Sequence, residues 1–258
     1  MRALSALVLS LLLAAAAPLV GAAAEEVDLE LVLLADSSGS IDDAEIRFQR
    51  QGYADAITDP QVLSAILDNA HGKIAVTYVE WGNAASQDVV VGWTVIDGVE
   101  AAGRFADALM AAPRRAYGRN AIGSALLKGK RLIEDNGHRG VRRVIDLSAD
   151  SANSWNGPPL ETARAEVVAA GIVINGLAVL CRHCSGRPAS YDLEEAFARL
   201  IIGGPGSFVV TADSKATFAD AVRKKLILEI AAGPSASSFA ALSGPPVRFG
   251  GQAEMRRE

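Results

Sequence analysis

Apolar residues fall along this chain in two rhythms, short continuous runs and longer stretches with helical spacing. Residues 29–35 read Leu-Glu-Leu-Val-Leu-Leu-Ala, a run suited to a strand buried on both faces of a sheet. Residues 73–81 and 87–95 read as further strands, and the turn chemistry of Gly82-Asn83 between them predicts an antiparallel hairpin at a sheet edge. Residues 141–149, 172–180 and 207–211 complete six strands. Between them, residues 41–57, 60–67, 97–110, 120–135, 158–170, 191–202 and 214–231 carry helical periodicity, with Pro113, Asn136-Gly137 and Gly171 as stops. The alternation predicts an α/β fold: a doubly wound, Rossmann-like, mostly parallel six-stranded sheet with one antiparallel edge strand and helices on both faces.

The two ends depart from this rhythm. Arg2, the Leu/Ala run at 3–17 and Ala22-Ala23-Ala24 read as a signal peptide over residues 1–24. From Gly233 the chain is rich in Gly, Pro, Ser and Ala, which predicts a disordered tail over 233–258. A single domain over 25–232 is expected, periplasmic or secreted, with no membrane span once the leader is removed. Half of the 258 residues are apolar, enough for a sizeable core, and the net charge of −5 with no basic stripe argues against a nucleic-acid partner.

The chemistry gathers where the first strand stops. Asp36, Ser38 and Ser40 follow at alternate positions, at the carboxyl tip of a strand, where open α/β sheets place ligand sites. Residues 142–150, RRVIDLSAD, are a strand ending on Asp150, and residues 117–126 are a loop running into a helix. In a doubly wound sheet the first and fourth strand tips are neighbours, so Asp36 and Asp150 should face each other with Asn120 arriving from the loop. Carboxylate, hydroxyl and amide oxygens are hard ligands suited to Mg²⁺, Mn²⁺ or Ca²⁺. The competing reading makes Asp36 a cap of the first helix or its loop and Asp150 a cap of the next turn, with no metal.

Asp-x-Ser-x-Ser at 36–40 and the strand-end Asp150 resemble the metal-ion-dependent adhesion site of von Willebrand factor A-type domains, over residues 27–231. The family's threonine falls on Asn120, a departure that still leaves a neutral hard oxygen. More narrowly, VVVGWTVI, RRVIDLSAD, INGLAVL and IIGGPGSFVV resemble a bacterial family of exported, single-domain members of this fold. The resemblance implies one divalent cation held by Asp36, Ser38, Ser40, Asn120 and Asp150. It also implies a coordination position open to an acidic residue of a partner protein.

Several residues stand beside this site. Arg114, Arg115, Tyr117, Arg119 and Trp155 form a candidate partner-binding rim, against solvated loop arginines and a buried loop anchor as the plain alternatives. Cys181 and Cys184 read as a local disulfide, or as a free or redox-active pair. Asp146 reads as a buried, paired structural acid, and His71 and His138 as surface loop residues. A binding module rather than an enzyme is expected, because no nucleophile–base pair can be assembled from the motif residues. Two alternatives stay open. A Mg²⁺-dependent hydrolase or phosphatase would use Asp36, although the second acid it needs two residues on is Ser38. A structural domain with a decayed metal site is the other, suggested by Asn120.

Overall fold

The computed structural model describes residues 24–180 and 192–231. The leader up to residue 23, the Cys181/Cys184 pair and the tail from Gly233 lie outside the described residues.

Six strands form one sheet: β1 (Glu25–Asp36), β2 (Ile74–Trp81), β3 (Gln87–Ile96), β4 (His138–Ala149), β5 (Val173–Val179) and β6 (Val209–Ala212), in the order β3-β2-β1-β4-β5-β6. All neighbours run parallel except β2 and β3, the edge hairpin. The seven helices are α1 (Asp43–Ile57), α2 (Pro60–Leu67), α3 (Val99–Ala111), α4 (Ile122–Glu134), α5 (Leu160–Ala169), α6 (Leu193–Leu200) and α7 (Lys215–Ala231). This is the doubly wound fold that the apolar pattern predicts.

The period of two along β1 sorts its side chains between two cores. Leu29, Leu31 and Leu33 pack on one face with Tyr53 and Ile57 of α1, Val62 and Ile66 of α2, Phe105 of α3 and Phe218 and Leu226 of α7. Val32 and Leu34 pack on the other with Ile122 and Leu126 of α4, Val167 of α5 and Phe197 of α6. With both faces covered, β1 is apolar at every position from Leu31 to Ala35, which explains the run in the sequence.

Several boundaries differ from expectation. Strands β1 and β4 begin earlier, at Glu25 and His138, because these polar ends pair with each other: Glu25 lies opposite His138, and the Glu25 amide donates to Gly137 O at 2.9 Å. His138 is therefore a strand residue, not a loop one; it is partly buried, with its ring edge-on to Trp93 at 5.9 Å. Buried Asp28 is also part of β1, where its carboxylate accepts the amides of His71 and Lys73. Helix α1 starts at Asp43, capped by Asp42, whose side chain accepts the Ala44 and Glu45 amides while Glu45 reaches back in a capping box. Helix α4 starts at Ile122, so Asn120 precedes it rather than opening it.

Register fixes the site. Ala35 of β1 lies opposite Ser148 of β4 and Asp36 opposite Trp81 of β2. The carboxyl tips of the two central parallel strands thus end side by side.

Candidate metal centre

Past Ala35 the chain turns sharply, and its own side chains shape the turn. Asp36 Oδ1 accepts the Ser38 amide at 2.8 Å, and Ile41 N donates to Ser38 O at 3.0 Å. Alternate positions then face one way: Ser38 Oγ and Ser40 Oγ stand 3.3 Å apart. Ser38 is fully buried and Ser40 exposed, so the pair runs from the floor of the site to its mouth. Ser37, on the opposite side, donates from Oγ to Ala116 O at 2.8 Å. Asp36 thus caps its loop but not helix α1, whose cap is Asp42.

A second loop, residues 112–121, is stitched to the first by two arginines. Arg50 of α1 is buried, pairs with Glu80 of β2 at 2.7 Å and donates to the carbonyls of Ala112 and Pro113. Arg114 donates to Ser37 O and Ile41 O, both at 2.9 Å, and to Asp43 Oδ1 at 2.8 Å. Its side chain is only 11% exposed. This corrects the reading of Arg114 as a rim residue: its donors are committed to the Asp36–Asp43 turn and leave no fork for a partner. Gly39 N donates to Gly118 O at 2.8 Å, and Asn83 N to Tyr117 O at 3.0 Å, joining this loop to both strand tips beside it. Glycine is required at the crossing. A Cβ on Gly82 would lie 2.2 Å from Tyr117 O, and Gly118 has φ +102°.

Asn120 is 8% exposed, and its carbonyl accepts the Trp155 amide at 2.8 Å. That bond ties the loop before α4 to the loop that follows Asp150. Its side-chain Nδ2 is buried without a hydrogen-bond partner. Asp36 Oδ2 is likewise buried and unpartnered. Asp36 and Asp150 line one small cavity together with Glu45 and Gln49. Burial, and then the nearby Asp150 charge, push the Asp36 carboxyl up to about 7, against the pull of the Ser38 amide. Two acids held this way repel unless a cation or a proton intervenes.

The chemistry of this set is that of a hard-cation site: two carboxylates, two hydroxyls and an amide, with one carboxylate oxygen unspent. Among the described residues no group of three or more His, Cys, Asp or Glu side chains is arranged to hold a metal. The small cavity is lined by Asp36 and Asp150 but not by Ser38, Ser40 or Asn120, so the structure brings the two acids together and leaves the other three beside them.

Residues 26–234 match the family described as Protein of unknown function (DUF1194). The chain is a DUF1194 protein. No curated protein matches it. Solved structures do, at the level of fold. The pilus adhesin SpaC from Lactobacillus rhamnosus GG superposes with TM-score 0.58 at 13% identity, over 79% of this chain and 30% of that one. Proximal thread matrix protein 1 from the mussel byssus, in a form with a zinc-occupied MIDAS motif, gives TM-score 0.55 at 13% identity, over 81% of this chain and 49% of that one. The vWF domain of the type V pili tip protein Mfa5 from Porphyromonas gingivalis gives 0.52 at 8% identity, over 78% and 94%. The DUF1194 chain spans less than half of the first two proteins. Its fold is that of a von Willebrand factor A-type domain.

The rim of this DUF1194 domain sorts its arginines by what each already holds. Arg114 is spent on the turn. Arg115 is 65% exposed, with Asp88 at 4.0 Å. Arg119 lies with its guanidinium carbon 4.6 Å from the centroid of the Trp155 ring. Trp155 is 60% exposed and Tyr117 52%, so Trp155 is a surface aromatic and not a buried loop anchor. Ser37, Gln49, Arg50 and Glu80 support the site and were not singled out in the sequence. The signal for the last two was present: a charge inside the apolar run 74–81 and another on the inward face of α1 demand each other.

Proposed function

We propose that this domain is an exported, divalent-cation-dependent protein-binding module. One Mg²⁺ or Mn²⁺ would be held by Asp36, Ser38, Ser40, Asn120 and Asp150 and would accept a carboxylate from a partner protein. The observation that carries the reading is Asp36 Oδ2, buried without a hydrogen bond beside a second acid. Leaving such an atom unmet costs about 1–3 kcal/mol, more when charged. A site whose metal had been lost for good would have no reason to keep it. The adhesin, byssal and pilus-tip proteins that share the fold support an interaction role, and the zinc-occupied motif in one of them supports a divalent ion. The reading includes removal of residues 1–24 and a domain ending near residue 232. No described helix is long and apolar enough to cross a membrane.

A hydrolase is the weaker reading. His71 and His138 lie at the amino ends of β2 and β4, roughly 40 Å of extended strand from Asp150 in the case of His138. Among the described residues Ser38 and Ser40 therefore have no imidazole within reach, and Lys225 is sealed in the core; the third histidine, His183, lies outside the described residues. The test is a thermal-shift titration of the mature protein with Mg²⁺ and Mn²⁺, wild type against Asp36→Asn and Asp150→Asn. Wild type should melt higher with the logarithm of metal concentration, and neither variant should respond. An identical response in all three would overturn the site. Metal-dependent turnover of a phosphoester or peptide panel, lost in Asp36→Asn, would replace the binding reading with the enzymatic one.

A further inference from the structure

Arg119 is the arginine of this surface whose side-chain donors no described residue takes up. Its guanidinium stacks on Trp155 at 4.6 Å. Among the described residues that guanidinium makes no hydrogen bond or ion pair, in contrast to Arg114 with its six acceptor groups and Arg115 beside Asp88. A guanidinium over an aromatic face keeps its N–H groups available, a state suited to carboxylate recognition.

The platform under it is fixed. The Trp155 amide donates to Asn120 O at 2.8 Å, Asn156 Oδ1 accepts the Ala84 amide at 2.8 Å, and Asn156 Nδ2 donates to Arg119 O at 3.3 Å. Gly157, at φ +81°, passes so close to Ser124 that a Cβ would lie 2.3 Å from its Oγ. An aromatic ring 60% exposed on a backbone held at these points has little order left to gain on binding. Surface tryptophans and arginines of this kind are the usual centres of protein interfaces. Asn120, one of the proposed cation ligands, also supplies the backbone carbonyl that anchors Trp155, so the proposed site and the platform share one loop.

We propose that the partner segment carries two acidic residues, one completing the cation's shell and a second received by Arg119 on the Trp155 face. The inference rests on the metal-dependent reading above. Arg119 and the cation present two positive centres along one rim, and a peptide with a single acid satisfies only one of them.

The test uses blocked six-residue peptides with two Asp residues separated by one, two or three glycines, against the same peptides with either Asp replaced by Asn, titrated calorimetrically in millimolar Mn²⁺. Wild type should prefer a two-acid peptide at one spacing by about tenfold, against the up to about fivefold that a mobile surface pair returns. Arg119→Met keeps bulk over the ring and should erase the preference while retaining one-acid binding and the metal-induced melting shift. Trp155→Leu should reduce the preference and leave the metal shift in place. A metal shift without any two-acid preference, or a preference that survives Arg119→Met, overturns this inference alone. Absence of the metal shift in wild type overturns it together with the reading it rests on.

Discussion

Strand β4 carries an acid at Asp146 and is followed directly by another, Asp150, and the chain meets the two charges in opposite ways. Asp146 lies under α7, where fully buried Lys225 reaches it at 2.7 Å and also contacts Glu229, which in turn accepts a bond from Asn175. Here the cation is part of the fold. One turn of strand later, Asp150 and buried Asp36 share a cavity, and Asp36 has no Lys or Arg partner among the described residues. Both clusters contain a carboxyl pushed up to about 7 by burial. The internal cluster is closed by covalently attached charge, and the edge cluster is left for a solute. That difference, rather than the presence of buried acids as such, is what the proposed cation site rests on.

Breaking the internal cluster should have the largest effect. Lys225→Met leaves Asp146 and Glu229 buried together without their cation, and removal of one partner of a buried pair costs about 3–5 kcal/mol. Urea denaturation should show a loss of this size. The triple change Lys225→Met, Asp146→Asn, Glu229→Gln should recover much of it, because the charges that needed the lysine are gone. A loss under 1 kcal/mol for the single variant would mean the cluster is not closed by Lys225.

The pH profile is the next largest. The Asp146 carboxyl is pushed up by burial, helped by repulsion from Glu229 and opposed by Lys225, with Tyr53 of α1 and Tyr78 of β2 as further titratable groups facing it. The folded protein therefore holds a proton that the unfolded chain, titrating near 3.8, has released. Between these values the folded state binds more protons, so stability falls as pH rises from about 4 to about 7 and levels above. The fall should be on the order of a few kcal/mol. Measured in the Asp36→Asn background, the slope should flatten markedly on adding Asp146→Asn. A stability that rises over this window would reverse the assignment.

How much of this contrast was legible in the sequence depends on what each residue answers to. The apolar runs specify the sheet because both faces of every central strand must be covered, and Asp36, Ser38, Ser40 and Asp150 were readable because strand ends are where those runs stop. Asp146 was readable as a buried, paired acid, since it interrupts an apolar run. Its partner was not, although Lys225 and Glu229 are spaced by one helical turn inside an otherwise apolar face of 221–230. Arg114 was misplaced because its acceptors are backbone carbonyls of residues 37 and 41, and carbonyls leave no trace in a sequence. The starts of β1 and β4 were missed for a related reason: their polar ends are held by pairing with each other, not by burial.

Filling the edge cluster comes third. At a metal concentration a hundredfold above Kd, linkage adds about 2.7 kcal/mol to wild type. For a domain of this size that raises the melting temperature by roughly 5–10 °C. Asp36→Asn should lose the increment. It should also leave the metal-free protein as stable as wild type or more so, because it removes a buried charge that lacks a partner. At Lys225 the corresponding removal destabilises. Opposite signs at the two clusters are the sharpest form of the comparison, and equal destabilisation at both would erase it.

The smallest expected effect is at Asn120. The amide and the threonine hydroxyl that the resemblance puts at this position are both neutral hard oxygens, so Asn120→Thr changes reach and not charge. The backbone contribution, Asn120 O to the Trp155 amide, does not depend on the side chain. The substitution also removes a buried Nδ2 that has no acceptor. Metal-free stability should therefore change by no more than about 1 kcal/mol, in the favourable direction, and the metal-induced shift should be equal or larger. Asn120→Ala removes the oxygen altogether and should cut the shift while sparing the fold. If Asn120→Thr abolished the metal response while Asn120→Ala retained it, the Asn120 side chain would stand outside the cation's shell, and the edge cluster would have to be rebuilt around Asp36 and Asp150 alone.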